Sequence, residues 1–319
     1  MPFNTFNSVA RLPKKRGGGI SANWVAVGST TNTVATSTNG TEWVGLTTSV
    51  FSNYGSGAAY GKDGTGAGLW VAVGLGTNSI ATSPDGIVWT GRTGTSIFTT
   101  RGLGVAYANG LWVAVGQGTN TIATSTDGIV WTGLGLTVFS SEAFGVAFNN
   151  GLWVAVGAGT NSIATSPDGI TWTGRGTSIF SSRGIGVAYG NGVWVAVGLG
   201  TSHTIATSPD GITWTGRGLT IFSSFGIGVA YANGLWVAVG SGTNSIATST
   251  DGIVWTGRTG KTIFSSNGRG AAYGNGLWVA VGVGTNSIAT STNGIDWVGL
   301  STTVFSSSGL GVAFKNEDV

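Results

Sequence analysis

Charged side chains are scarce in this chain, 11 Asp plus Glu and 14 Lys plus Arg among 319 residues, so each one with the chemistry to bind or catalyse can be followed individually. Five of the acids, Asp85, Asp127, Asp168, Asp210 and Asp251, recur in a Ser-x-Asp-Gly-x-x-Trp string. A set of carboxylates suggests a cation site, but calcium needs roughly six to eight oxygens at about 2.4 Å around one point. Carboxylates a whole repeat apart do not meet that demand, so they read as turn residues, and neither metal nor cofactor is expected. Glu317 and Asp318 belong to the end of the chain, Asp63 to a hairpin insertion, and Glu42 and Asp296 to positions beside a tryptophan in a unit's fourth strand. That leaves Glu142 as the one acid in a plausible central position. Acid–base catalysis on a glycosidic bond needs two carboxyl groups a few ångströms apart, and with no second one the chain is expected not to be an enzyme. The single histidine, His203, lies in an enlarged Gly-Thr-Ser-His-Thr turn without a periodic carboxylate and reads as a surface residue. The absence of cysteine excludes disulfides, thiolate zinc sites and a Cys nucleophile.

A repeat must position these residues. The string Trp-Val-Ala-Val-Gly begins at Trp24, Trp70, Trp112, Trp153, Trp194, Trp236 and Trp278, at spacings of 41 to 46 residues. A second tryptophan closes each unit, at Trp43, Trp89, Trp131, Trp172, Trp214, Trp255 and Trp297, so all 14 Trp are periodic. One unit, Gly186 to Arg217, reads as four runs rich in Val, Ile, Thr and aromatics, divided by Asn-Gly, Gly-x-Gly-Thr and Pro-Asp-Gly. These are strand and turn signatures. Asn191-Gly192 and Asp210-Gly211 both match two-residue hairpin turns, whose central residues take positive φ. Trp194 and Ala196 point to one face of their strand and Val195 and Val197 to the other; both sets are apolar, so both faces are expected to be covered. With Gly at 59 positions and no 3.6-residue periodicity, helices have no place. A β-solenoid repeats at about half this length with parallel strands. The expectation is therefore an all-β fold, a seven-bladed β-propeller with four antiparallel strands per blade.

The first copy starts at Trp24 without the Gly-Val-Ala-Tyr strand that precedes the others, while the last is followed by an extra one, Gly309 to Phe314. That segment is expected to be the innermost strand of the blade whose other strands lie near Asn23–Gly28, Thr33–Thr36 and Glu42–Leu46, a one-plus-three overlap that removes an open edge. Residues 1–19 then form an N-terminal basic arm, 20–314 the propeller and 315–319 a tail.

The turn string, Ser83 to Trp89, Ser125 to Trp131, Ser166 to Trp172, Ser208 to Trp214 and Ser249 to Trp255, with Asn39 and Asn293 replacing Asp in the outer copies, resembles the Asp-box, or bacterial-neuraminidase repeat, of sialidases, other glycosidases and many non-catalytic propellers. The resemblance spans roughly residues 20–314 and departs in having one residue fewer between Asp and Trp, so the turn is expected to be tighter. Ser and Asp can bond turn amides while the Trp ring staples the hairpin to the next blade. Sialidase chemistry, as the resemblance would imply it, needs an arginine cluster, a Tyr nucleophile with a Glu partner and an acid. Tyr60, Tyr107, Tyr189, Tyr231 and Tyr273 share one strand position with Phe148 and Phe314, which marks core rather than nucleophile.

The informative positions are those at which the copies disagree. One column reads Tyr54, Arg101, Glu142, Arg183, Phe225, Asn267 and Ser308; another, two residues on, reads Ser56, Leu103, Phe144, Ile185, Ile227, Arg269 and Leu310; a third, after Val-Ala-Val-Gly, runs from Ser29 to Val283. All three fall on the face carrying the second-to-third strand loops, around the central channel, where a propeller's pocket is expected. The candidate ligand-binding residues are Tyr54, Arg101, Glu142, Phe144, Arg183, Phe225, Asn267 and Arg269. Their variation points to one asymmetric ligand spanning several blades. The function expected is a non-catalytic binding or scaffold module recognising a glycan, as a lectin does, or a protein. The alternatives are a sialidase-like glycoside hydrolase and a structural component of a virion or cell-surface assembly.

Arg92, Arg175, Arg217 and Arg258 stand where Leu46, Leu134 and Leu300 occur in other copies and read as solvated strand ends. The one charge run, Arg11, Lys14, Lys15 and Arg16, belongs to the arm, and without it the ring is nearly neutral, a poor nucleic-acid surface. The first residues lack the charge order of a signal peptide, and no apolar stretch approaches the roughly 20 residues of a spanning helix. A monomer without membrane attachment is expected, in a cytoplasmic or virion-associated setting, with the compartment itself unassigned.

Overall fold

The computed structural model describes residues 21–47, 50–92, 97–258 and 262–316, so the basic arm and the acidic pair Glu317 and Asp318 lie outside the described residues. Within them are 28 β-strands and no helix, arranged as seven four-stranded antiparallel blades. In blade five the inner strand Arg183–Gly190 pairs with Val193–Leu199, which pairs with Ile205–Ser208, which pairs with Thr215–Gly216. The first turn is a two-residue hairpin with Asn191 at φ 50° and Gly192 at φ 77°, the geometry in which the turn twist matches the strand twist.

The ring closes as the repeat arithmetic requires. Ser308–Phe314 pairs antiparallel with Trp24–Ser29, from Trp24 opposite Phe314 to Ser29 opposite Ser308, giving blade one its inner strand from the far end of the chain. Hydrogen-bonded pairing also passes between blades, for example from Ala158 to Arg183 and from Ser241 to Asn267.

Seven buried clusters fill the seven interfaces between blades. In one, Val195, Val197 and Ile205 of blade five meet Trp236, Ala238 and Ala247 of blade six; in another, Trp194 and Ala196 meet Val154 and Val156 of blade four. Both faces of the Val-Ala-Val strand are thus used, and the first tryptophan of every copy is fully buried. The second tryptophan is less so: Trp131 joins the cluster of Leu69 and Val71, which belongs to the preceding blade rather than the following one.

The third turn departs from the two-residue expectation. Six residues, 209–214, separate its strands in blade five, and only Gly211 takes positive φ. Asp210 Oδ1 accepts from the backbone N–H of Ile212 and Thr213, each at 2.8 Å, and from Ser208 Oγ at 2.9 Å, while the Trp214 indole N–H donates to the Gly211 carbonyl at 2.9 Å. Asn39 and Asn293 make the same pair of backbone contacts. Because the last strand of each blade is two residues long, Glu42 and Asp296 fall in this turn and not in a strand.

His203 also differs from its surface reading. Six blades carry an asparagine at its position; Asn161, for instance, accepts the Gly176 N–H and donates to the Val138 carbonyl. His203 replaces it, half-buried, with Nδ1 accepting the Gly218 N–H at 3.0 Å. It is a loop brace.

Candidate functional site

Each inner strand holds a β-bulge: in blade five Gly184 pairs with Gly198 and Gly186 with Val197, leaving Ile185 unpaired. The same skip isolates Ser56, Leu103, Phe144, Ile227, Arg269 and Leu310. A bulge re-aims one side chain, and here all seven re-aimed residues line one axial cavity of about 510 Å³. Glycine permits the close approach that this ring needs. A Cβ on Gly186 would stand 2.7 Å from the Ile227 carbonyl oxygen of the next bulge, and one on Gly104 2.7 Å from that of Phe144.

Tyr54, Arg101, Arg183 and Phe225, at the starts of their inner strands, complete the lining. Of the eight residues singled out from sequence, six therefore face one cavity. Glu142 and Asn267 do not line it. Glu142 is buried and ion-paired to Arg101, with Arg101 Nη2 to Glu142 Oε2 at 2.7 Å, and Arg101 Nη1 also donates to the Tyr54 hydroxyl at 3.2 Å. Asn267 is buried, its Nδ2 donating to Ser266 Oγ at 3.2 Å. The five lining residues left out of that set, Ser56, Leu103, Ile185, Ile227 and Leu310, share the column of Phe144 and Arg269; a Gly-x-Gly frame around six of its seven members was the available signal.

The electrostatics are dominated by arginine. Arg183 places its guanidinium over the Phe144 ring, 5.5 Å from the centroid. Burial pushes Arg101 down, but the Tyr54 hydroxyl and the Glu142 carboxylate outweigh it and leave Arg101 raised. Burial, and then the charge of Arg183, hold Arg269 below the ordinary guanidinium range. A second, smaller space of about 190 Å³ is lined by the glycines that follow the bulges, and Arg269 and Leu310 border both spaces.

Two other groups of residues are occupied structurally. Tyr60, Tyr107, Tyr189, Tyr231 and Tyr273 lie near the far ends of the inner strands, half-buried, each ring 4.8–5.1 Å from the first tryptophan of its blade. Arg92, Arg175, Arg217 and Arg258 each donate to a threonine hydroxyl on the adjacent third strand of the blade, as Arg217 does to Thr207 Oγ1 at 2.6 Å. Among the described residues no three His, Cys, Asp or Glu side chains gather as metal ligands, and no helix is long and apolar enough to cross a membrane.

No family model and no curated protein matches the chain. Solved structures do. It is similar to the computationally designed Ika8 protein, with a TM-score of 0.57 at 13% identity over 94% of this chain and 92% of that one. It is similar to YCF48 from Cyanidioschyzon merolae, with a TM-score of 0.53 at 16% identity over 77% and 84%. A chain of a nidogen/laminin complex gives 0.55 at 11% identity over 81% and 98%. At such identities the likeness is one of fold, and it agrees with the all-β propeller.

Proposed function

We propose that this chain is a non-catalytic binding or scaffold propeller that engages one ligand, a glycan or a segment of protein, at the axial face. The observation that carries this reading is the contrast within the ring. Residues that pack the blades repeat almost without change, whereas the eleven that line the axial cavity are a mixture of Arg, Tyr, Phe, Ser and aliphatic side chains. Packing does not require that mixture, and a single asymmetric ligand does. The Asp-box-like turns belong, in this reading, to the frame: their Ser, Asp and Trp side chains are engaged with their own turn.

A glycoside hydrolase is less well supported, since the acid nearest the cavity, Glu142, is tied to Arg101 and has no carboxylate partner there. Fluorogenic glycosides test that alternative; turnover abolished by Glu142→Gln would establish it. The binding reading is tested by a glycan array and by calorimetry on whatever partner is found. One site per chain, weakened by the Tyr54→Ala plus Phe225→Ala double change, is expected. A stoichiometry near seven, insensitive to that change, would place binding in the repeated grooves between blades and overturn the axial reading.

A further inference from the structure

Three alternate blades each send an arginine into the axial cavity: Arg101 from blade three, Arg183 from blade five and Arg269 from blade seven. The Nε of each is buried and unbonded. Arg101 has compensation in Tyr54 and Glu142. Arg183 has the face of Phe144, and Arg269 makes no hydrogen bond or ion pair among the described residues, although it is close enough to Arg183 to feel its charge. Guanidinium stays protonated in proteins, so burial cannot be relieved by losing the proton. Three cations against one carboxylate leave two charges unmatched in a space walled largely by Phe144, Phe225, Leu103, Ile185, Ile227 and Leu310. Buried donors without partners are costly, and so are unpaired buried charges.

Resting on the axial-face reading above, we propose that the cavity binds one small organic dianion, its two charges met by Arg183 and Arg269 and its apolar body seated between Phe144 and Phe225. A volume of about 510 Å³ lies in the range of roughly 300–1,000 Å³ usual for small-molecule sites. A neutral glycan would leave the two guanidinium charges uncompensated. Arg92, Arg175, Arg217 and Arg258 are not equivalent candidates, because they do not line this cavity and the Nε of each already donates to a threonine hydroxyl.

Calorimetric titration of the full chain with phenyl phosphate, a dianion on an aromatic body, tests this, with benzenesulfonate as the monoanionic control and phenyl β-glucoside as the neutral one. Phenyl phosphate is expected to bind once per chain and at least ~10-fold more tightly than either control. Arg183→Gln and Arg269→Gln are each expected to weaken it by ~10-fold or more, the loss of a charge-assisted hydrogen bond. Thermal melting gives a second readout: phenyl phosphate should raise the melting temperature of the parent chain, and Arg269→Met should raise it without ligand, because an apolar side chain replaces an unpaired, half-buried cation whose Nε is buried without a partner. Failure of phenyl phosphate to bind the folded chain, binding indifferent to both arginines, or destabilisation by Arg269→Met would each overturn the proposal. If phenyl phosphate fails while a glycan or protein is still held through Tyr54 and Phe225, the dianion inference falls and the axial-face reading survives. If a partner binds near seven per chain without either aromatic, the axial-face reading falls first.

Discussion

The bulge ring can be tested with a matched pair of glycines. Gly186 and Gly270 occupy the same position in blades five and seven, immediately after the bulged residue, and neither has positive φ. A Cβ on Gly186 would lie 2.7 Å from the Ile227 carbonyl oxygen, 3.1 Å from Val197 Cγ2 and 3.2 Å from Gly228 Cα; on Gly270 the nearest atom is Val281 Cγ2 at 3.4 Å and the next bulge carbonyl is 3.6 Å away. The first contact is with backbone inside a closed ring, which no rotamer change can relieve, so Gly186→Ala should behave as overpacking and cost about 1–3 kcal/mol. Gly270→Ala meets ordinary contacts and restricts the unfolded chain, so it should be neutral or stabilising by about 0.4–1 kcal/mol. At about 2.1 cal/mol/K per residue, a chain of this length has an unfolding entropy near 0.7 kcal/mol/K, so the first change lowers the melting temperature by about 1.5–4.5 °C and the second raises it by up to about 1.5 °C. Differential scanning calorimetry of both variants beside the parent chain measures this. Equal shifts, or loss at Gly270 with tolerance at Gly186, would refute the argument that the neighbouring bulge carbonyl is what excludes a side chain.

Acid should loosen the turns: backbone hydrogen bonds hold Asp168 and Asp210 at about 2 and lower Asp85, Asp127 and Asp251, so their stabilisation is present above the ordinary carboxylate value near 4 and is lost as pH falls toward 2. Replacing all five by Asn, which Asn39 and Asn293 show to fit the turn, should keep the fold and flatten Tm against pH in that window; an unchanged pH dependence would refute the assignment. Truncation after Ser307 removes the strand paired with Trp24–Ser29 and should unfold the chain or make it self-associate through that edge, read by circular dichroism and mass-resolved chromatography; an unaltered melting temperature and mass would contradict closure. His203→Leu removes the acceptor for the Gly218 N–H and should cost about 1–3 kcal/mol, whereas His203→Asn should stay within about 1 kcal/mol of the parent in urea denaturation.

Much of this protein is determined by the sequence alone, because its dominant signals are local and repeated seven times. Alternation of Trp-Ala against Val-Val commits each second strand to two covered faces, Asn-Gly commits the first turn to positive φ, and a strand missing at one end and surplus at the other commits the chain to closure. The variable columns likewise marked the axial face before any geometry was known. What only the tertiary structure decided depends on groups far apart in the chain. The bulge that turns Ile185 and its six counterparts inward comes from pairing register; the Gly184–Gly186 frame permits it, but does not by itself fix which residue is left unpaired. The ion pair that withdraws Glu142 from the cavity joins residues 41 positions apart. Convergence of Arg183 and Arg269 arises because the ring brings alternate blades to one axis. Periodicity fixes the frame because every copy votes for it; the candidate site lies where the copies differ, and there only the meeting of different blades in space sets which charges are paired and which are not.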